Sequence, residues 1–205
     1  MCKYLSVRGT GQRMLNDPTT PLSLLATRRS GKPRDLVAPG PNAAELATIL
    51  EIAARVPDHG KIAPWRFVIV EAEQRDALSK RITDAYRAER PQAAAAEIAA
   101  LEQFAHQAPA LVVVLFTPRT ASHIPLWEQQ LSVGAACMTL LNATHALGFA
   151  GGWLTGWPSY SDAVRDAFGA DPERIAGFFF LGTPAKQLEE RPRPAMSTIV
   201  TYFTP

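Results

Sequence analysis

Two groups of basic residues in this 205-residue chain could bind an anionic group. Arg28, Arg29 and Ser30 are consecutive, and two planar guanidinium groups, a hydroxyl and turn amides suit a phosphate monoester. Arg191 and Arg193 lie in a proline-rich stretch near the C-terminus that could return to the same phosphate. The structural alternative stays open, because the helix dipole favours arginines at a helix end and charged loops are usually solvated.

A second set of residues could approach a flat ring. Arg55 and His59 surround a PDH turn, where both side chains could donate hydrogen bonds to a carbonyl edge or a phosphate. Further along, the glycines of GGWLTG would let a ring approach the backbone beside Trp153, Leu154 and Thr155. The alternatives are a loop histidine bonded to nearby backbone and a tryptophan that only packs.

Several other kinds of site are excluded by the sequence. Its four histidines have no HxxxH or HExxH spacing, and no GxSxG turn accompanies the serines. The sequence therefore argues against a zinc hydrolase and against a serine hydrolase. No strand is followed by GxGxxG or GxxxxGK, which argues against a Rossmann site and a P-loop. We expect no metal.

Composition narrows the partners and the setting. The net charge is +2 and the basic residues are scattered among acids, which argues against nucleic acid. Only two cysteines occur, too few for a disulfide framework. No apolar run is long enough for a signal peptide or a membrane span. We therefore expect a cytoplasmic protein with no membrane association.

Hydrophobic periodicity and capping signals predict the elements that position these residues. Two predicted helices begin after Thr20 and after Asn42, and Asn42 forms a capping box with Glu45. Further helices are predicted in two segments of 73–105, with a break near Pro91, and over 127–147 and 161–168. The predicted strands are 66–70, 111–116, the FAGGWLTG segment and 175–181, and the tail 198–203 alternates like a strand. Strands interleaved with helices predict an α+β or α/β fold. We expect a flexible leader over 1–20 and a single domain over 21–205.

In order, the segments LLATRRS, RVPDHGKIAPWRFVIV, PLWEQQLSVGAACM, GFAGGWLTG, IAGFFFLGTPA and RPRP resemble the nitroreductase family of flavoproteins, in its small bacterial branch. The resemblance runs from about Pro21 to the C-terminus. It implies an α+β fold with a mixed central sheet wrapped by helices, and an intertwined homodimer with FMN at the interface. Val56, where an alanine is usual, and the leader depart from the pattern.

The resemblance also implies roles for individual residues. The FMN phosphate and ribityl chain would be held by Arg28–Ser30, and the flavin approached by Arg55 and His59 of the partner subunit. The ring would lie along residues 153–155, with Lys32 as a candidate donor near its N1. A reduced nicotinamide would bind near Ala143, Thr144, His145, Ala146, Leu147 and Gly148.

The implied activity is transfer of hydride from NADH or NADPH through the flavin N5 to a nitroaromatic, a quinone or a similar electron-poor acceptor. One stacking site would serve donor and acceptor in turn, which makes the mechanism ping-pong, and no protein acid or base is required. Two alternatives stay open: a flavin-dependent dehydrogenase or oxidase of a small metabolite, and a non-catalytic flavin-binding or structural dimer. No 2′-phosphate clamp is identifiable, so both nicotinamide coenzymes are retained.

Overall fold

The computed structural model of the chain describes residues 14–205. A five-stranded sheet runs through this part of the chain. The strands are β1 (Leu36–Val37), β2 (Trp65–Ile69), β3 (Ala110–Phe116), β4 (Ala150–Leu154) and β5 (Arg174–Pro184). The helices are α1 (Pro21–Thr27), α2 (Ala43–Ala53), α3 (Arg75–Glu89), α4 (Ala95–Glu102), α5 (Leu126–Ala146), α6 (Asp162–Arg165) and α7 (Met196–Ile199).

Strand β5 organises the sheet because it pairs with β1, β3 and β4. Val113 of β3 lies opposite Phe178 on one edge of β5, and Trp153 of β4 lies opposite Phe179 on the other edge. Successive side chains of a strand point to opposite faces. Phe178 and Phe180 therefore pack in the core beneath α3, while Phe179 packs in the core formed with α2 and α5.

The sheet differs from the mixed sheet that the family resemblance implies, and that prediction is wrong for the described residues. Each of the four strand pairs is antiparallel. Strands β3 and β4 run in the same direction, but β5 lies between them, so they do not pair. The long helix α5 makes the connection that carries the chain from β3 across β5 to β4. The α+β class itself is confirmed.

The helix starts predicted from capping residues are confirmed. The Thr20 side chain accepts a hydrogen bond from the Ser23 amide at 3.0 Å, and Ser23 reciprocates at the Thr20 amide. The Asn42 side chain accepts from the amides of Ala44 and Glu45, whose carboxylate returns to the Asn42 amide at 2.8 Å. Each capping box joins residues only three positions apart, so the sequence alone is enough to predict it.

Three elements differ from the sequence prediction. The helix predicted over 161–168 extends only over Asp162–Arg165, and the two-residue strand β1 was not predicted. The predicted tail strand over 198–203 is wrong: Met196–Ile199 is a short helix, and the residues after it are exposed. Alternation predicts a strand only where a neighbouring strand is available, and none of the five strands pairs with this tail.

Candidate functional site

The segment Arg28–Ser30 follows α1 and is held in place from two sides. On one side, the Asn16 amide group brackets Arg29, accepting from its backbone N–H at 2.6 Å and donating to its carbonyl at 3.1 Å. On the other side, the N–H of Gly31 donates to the carbonyl of Gly151 in β4 at 3.0 Å. The arginine segment is therefore docked on the strand that carries Trp153.

The C-terminal loop returns to the same place, as its arginines predicted. Arg29 Nε donates to the carbonyl of Glu189 at 2.6 Å, and Arg193 Nη2 lies 3.5 Å from the carbonyl oxygen of Arg28. Partial burial lowers the pKa of Arg28, and repulsion from Arg193, Arg29 and Arg191 lowers it further. We call these four residues the arginine cluster. Mutual repulsion of this kind is relieved by a bound anion.

Close packing joins this segment to β4. A Cβ atom built on Gly152 would lie 2.7 Å from the Gly31 carbonyl oxygen and 3.0 Å from Pro33, so only glycine fits there. The next residue, Trp153, is 38% exposed, stacks on Phe179 with ring centroids 5.3 Å apart, and donates from Nε1 to the Ala176 carbonyl at 3.0 Å. The indole is thereby fixed at the edge of the sheet.

Leu154 and Thr155 continue from this tryptophan at the end of β4. Leu154 is half-buried and Thr155 is exposed. The arginine segment therefore meets β4 at Gly151 and Gly152, directly before residues 153–155, and Arg193 of the C-terminal loop lies against the same segment.

Arg55 and His59 lie elsewhere. Arg55 follows the end of α2, and His59 is the first residue of a short turn. Nδ1 of the His59 ring lies 2.7 Å from Glu128 Oε2 in α5. Both side chains are exposed. Within residues 14–205 no hydrogen bond or ion pair joins either residue to the arginine cluster. This separation is what a contribution from a partner subunit would require.

The segment predicted to meet a nicotinamide lies at the C-terminal end of α5. Ala143, Thr144 and His145 are buried, whereas residues 146–148 are exposed. A cavity of about 620 Å³ adjoins this end and is lined by His145, residues 148–150, residues 14–16 and residues 184–188. The accessible part of the predicted segment is therefore residues 146–148, and His145 lies buried behind the cavity wall.

His145 has an unusual environment for a titratable group. Its side chain has no exposed surface, Nε2 accepts the Gly151 N–H at 3.3 Å, and Nδ1 has no hydrogen-bond partner in the described chain. Burial, with a smaller contribution from the charge of Arg28, lowers the pKa of His145 from 6.5 to about 4. The ring is therefore neutral at physiological pH.

This shift predicts how stability depends on pH. Between pH 6.5 and about 4 the unfolded chain protonates His145 and the folded chain does not, so the free energy of unfolding falls as pH is lowered through this window. The full loss is roughly 3 kcal/mol. Urea unfolding at several pH values measures this: the free energy of unfolding should depend less steeply on pH in His145→Gln than in the natural chain. The matched control is His106→Gln, an exposed histidine, and an equal slope in both variants would contradict the prediction.

Lys32, the candidate donor near a flavin N1, is exposed, and its Nζ lies 3.6 Å from Glu189 Oε2. Its role stays a prediction. A cavity of about 230 Å³ adjoins it, between residues 29–36 and residues 184–189.

Sequence reasoning missed two residues that hold the candidate site together. Asn16, which brackets Arg29, falls in the stretch predicted to be a flexible leader; the first 13 residues of that stretch lie outside the described residues. Glu128 has no predicted role of its own beyond its place in the segment PLWEQQLSVGAACM, although its carboxylate contacts His59. Its position in the first turn of a helix, next to a motif already singled out, is the signal that could have identified it.

Two further features of residues 14–205 bear on the site. No helix there is long and apolar enough to cross a membrane. No group of three or more His, Cys, Asp or Glu side chains in the same part of the chain is arranged to hold a metal ion. The site is therefore characterised by its arginines and its strand edge.

Known proteins are similar to this chain in sequence and in fold. A model of the Nitroreductase family matches residues 25–183. The chain is 34% identical over 184 residues to the Escherichia coli K12 protein named "Putative NAD(P)H nitroreductase YdjA", covering 89% of this chain and 98% of that protein. It is 36% identical over 192 residues to a Haemophilus influenzae protein named "Putative NAD(P)H nitroreductase", with the same coverages.

Among solved structures, the chain is similar to one from Desulfovibrio desulfuricans described as a "putative nitroreductase in complex with fmn". The TM-score is 0.69 at 21% identity, and the match covers 91% of this chain and 99% of that one. The predicted nitroreductase-like α+β fold is thereby confirmed. With a family model spanning most of its length and two relatives above one third identity, the chain belongs to the nitroreductase family.

Proposed function

We propose that this protein is an FMN-dependent oxidoreductase that takes hydride from NADH or NADPH and reduces nitroaromatics, quinones or similar electron-poor acceptors by a ping-pong mechanism. The observation that carries the proposal is the arginine cluster beside β4, in which the charges of Arg193, Arg29 and Arg191 act on the partly buried Arg28. The names of the two relatives, and the FMN in the Desulfovibrio structure, support the choice of cofactor and hydride donor.

The residues present fit FMN. A phosphate monoester carries nearly two negative charges, which would offset the repulsion that lowers the pKa of Arg28. Ser30 supplies a hydroxyl beside that guanidinium, with Arg28 Nη1 3.4 Å from Ser30 Oγ. The close approach of Gly152 to Gly31 keeps the β4 backbone next to the phosphate-binding segment. A flavin whose phosphate lies on the cluster would have its ring along residues 153–155.

We propose a homodimer as the complete unit, with residues 21–205 as one FMN-binding domain. A stripe along α5 has the spacing of a single helix face: Trp127, Leu131, Gly134, Met138 and Asn142. Trp127 is 67% and Leu131 55% exposed, and a Cβ built on Gly134 would meet no atom within 4 Å. The Asn142 Oδ1 atom is buried without a hydrogen-bond partner among residues 14–205. A second copy packed on this stripe would cover the apolar side chains.

Other apolar side chains support the same assembly. Leu22 and Leu25 of α1 are exposed beside the arginine segment, and Tyr202 and Phe203 of the tail are exposed almost completely. Single exposed apolar residues are common, but several on the contacting helices α1 and α5 mark an interaction surface. A tail that pairs with no strand among residues 14–205 is suited to lie on a second copy. In that dimer, Arg55 and His59 of the partner subunit would reach the flavin.

The division of labour follows from these positions. FMN, when bound, supplies the two-electron chemistry at its N5, and the protein orients it and controls access. The arginine cluster holds the phosphate, Trp153 and its neighbours support the ring, and the exposed end of α5 at residues 146–148 offers a place for the nicotinamide. Because donor and acceptor would stack on the same ring, one must leave before the other binds.

The test uses the purified chain with FMN added and excess removed, followed by NADPH or NADH without oxygen. We expect one FMN retained per subunit, bleaching of the flavin band by at least one coenzyme, and a mass of twice the 22.3 kDa chain. Parallel lines in double-reciprocal plots with a quinone would support the ping-pong order. Retained flavin that neither coenzyme bleaches would indicate a metabolite dehydrogenase, an oxidase or a flavin-binding protein; no retained flavin would overturn the proposal.

A further inference from the structure

One pair of side chains lies apart from the arginine cluster, and one of its members, Glu128, has no part in the function described so far. Glu128 Oε2 lies 2.7 Å from Nδ1 of His59. We propose that Glu128 is a positioning residue: it keeps a proton on Nδ1 of His59, so that Nε2 of the neutral ring faces the FMN across the dimer interface as a hydrogen-bond acceptor. This inference rests on the proposed function, in which His59 approaches the flavin of the other subunit.

The backbone that carries His59 is fixed to α5 and to the loop before it. Ser132 Oγ, one turn along α5 from Glu128, donates to the Pro57 carbonyl at 2.6 Å. Arg119 Nε donates to the carbonyl of Ile62 at 3.0 Å. Contacts on both sides of His59 therefore hold its turn against the helix that supplies the carboxylate.

The turn itself has a specified conformation. Gly60, Lys61 and Ala63 have φ values of 74°, 54° and 44°, in the left-handed region that residues other than glycine rarely adopt. The side chain of Asp58 accepts a hydrogen bond from the Ala63 amide at 2.8 Å and closes the turn. Such conformations persist only where the surroundings enforce them, and they are concentrated at functional sites. The turn is built to place His59.

Stability alone does not account for the pair. The side chains of His59 and Glu128 are 62% and 43% exposed, and an ion pair at that exposure contributes little to folding. Leu126 and Trp127, which precede Glu128 in the first turn of α5, are exposed as well. A second copy that covers Trp127 would exclude water from the pair and strengthen its hydrogen bond.

The chemistry of the two groups sets the direction of the hydrogen bond. A carboxylate only accepts, so Nδ1 of His59 must donate to Glu128. The first turn of a helix favours a carboxylate at this position. The His123 ring lies edge-on beside the His59 ring, and the two ring centroids are 6.5 Å apart. In residues 14–205 no hydrogen bond engages Nε2 of His59, which is left to meet a ligand.

The first measurement reads the tautomer directly in the ligand-free protein. Nitrogen-15 NMR of the histidine rings, assigned with His59→Gln, should show Nδ1 of His59 protonated in the natural chain. In Glu128→Leu, which removes the acceptor, we expect the proton to redistribute towards Nε2. A purely structural ion pair on a mobile surface would leave the ring averaging between both nitrogens in each protein.

The second measurement connects the pair to the cofactor. We expect Glu128→Leu and His59→Gln each to weaken FMN binding about fivefold to tenfold, and the double variant to weaken it no further, because Glu128 acts only through His59. The matched control is Asp76→Asn. It removes the carboxylate of another surface pair, with His106 Nε2 at 3.3 Å, and should leave FMN affinity unchanged.

The outcomes separate this inference from the function on which it rests. A redistributed proton in Glu128→Leu with non-additive losses of affinity would support it. An unchanged tautomer, or losses that simply add in the double variant, would overturn it. If the natural chain binds no FMN, the proposed function fails and the role towards the cofactor fails with it, whereas a fixed tautomer in the ligand-free protein would still be seen by NMR.

Discussion

Replacing Arg28 with methionine is expected to weaken FMN binding about 100- to 1,000-fold, the size of effect seen when one member of a hydrogen-bonded, partly buried charge pair is removed. Arg28 is half-buried within the arginine cluster; burial lowers its pKa most, and repulsion from three neighbouring arginines lowers it further. Without ligand the variant should be as stable as the natural chain, because the substitution removes that repulsion.

Two comparisons make the Arg28 experiment specific. Riboflavin lacks the phosphate, so its weaker binding should change little in Arg28→Met while that of FMN falls steeply. The exposed Arg87 of α3, which pairs with Asp84 and Glu102 away from the cluster, is the matched control, and Arg87→Met should bind FMN normally. Fluorescence titration measures both ligands. Equal losses for FMN and riboflavin would show that Arg28 does not hold a phosphate.

The same variant also tests the electrostatic link between the two sides of the site. The charge of Arg28 contributes to lowering the pKa of His145, second only to burial. In Arg28→Met the pKa of His145 should rise, and the pH dependence of stability should become shallower. Because burial is the larger cause, most of the dependence should remain. The urea series at several pH values measures this directly.

Those parts of the fold that depend on neighbouring residues could be predicted from the sequence. The Asn42 capping box and the break before α4 are set by contacts within a few positions, and the buried strand β3 is evident from five consecutive apolar residues between 111 and 115. Strand neighbours are different, because they depend on long-range pairing. β5 lies between β3 and β4, which leaves no parallel pair in the described sheet. The local pattern of neither strand indicates this arrangement, so the sequence could not predict it.

The candidate site shows the same division. The types of Arg28 and Arg193 indicated a phosphate, and the structure brings the two together across 165 positions of the chain. The contact between Glu128 and His59 spans 69 positions, and nothing local to either residue specifies it. Asn16 falls in the segment predicted to be a leader, because a short polar segment before a helix resembles one, and only the structure shows that its side chain brackets Arg29. Residue types therefore suggested the chemistry, and only the fold identified the residues that position it.

Arg75 shows most clearly how the fold determines the role of a residue. It is the first residue of α3, where a basic side chain would ordinarily be solvated, yet it is only 5% exposed. Its guanidinium donates to the carbonyls of Val70, Ala105, Ala108 and Pro109 at 3.0, 2.7, 3.1 and 3.2 Å, in that order. These carbonyls belong to the segments that end β2 and enter β3, so one side chain joins two adjacent strands.

We therefore expect Arg75→Met to lower the free energy of unfolding by about 4 kcal/mol, because four carbonyls would lose their donor while the apolar stem is kept. Arg75→Lys should recover part of this loss, since a single ammonium group cannot reach all four oxygens. Arg87→Met is the matched control on the same helix: Arg87 is exposed, pairs only at the surface, and its loss should cost less than about 1 kcal/mol. Urea unfolding without FMN measures all three. A loss in Arg75→Met no larger than in Arg87→Met would mean that water replaces the guanidinium at no cost, and that the β2–β3 connection is held by its apolar core alone.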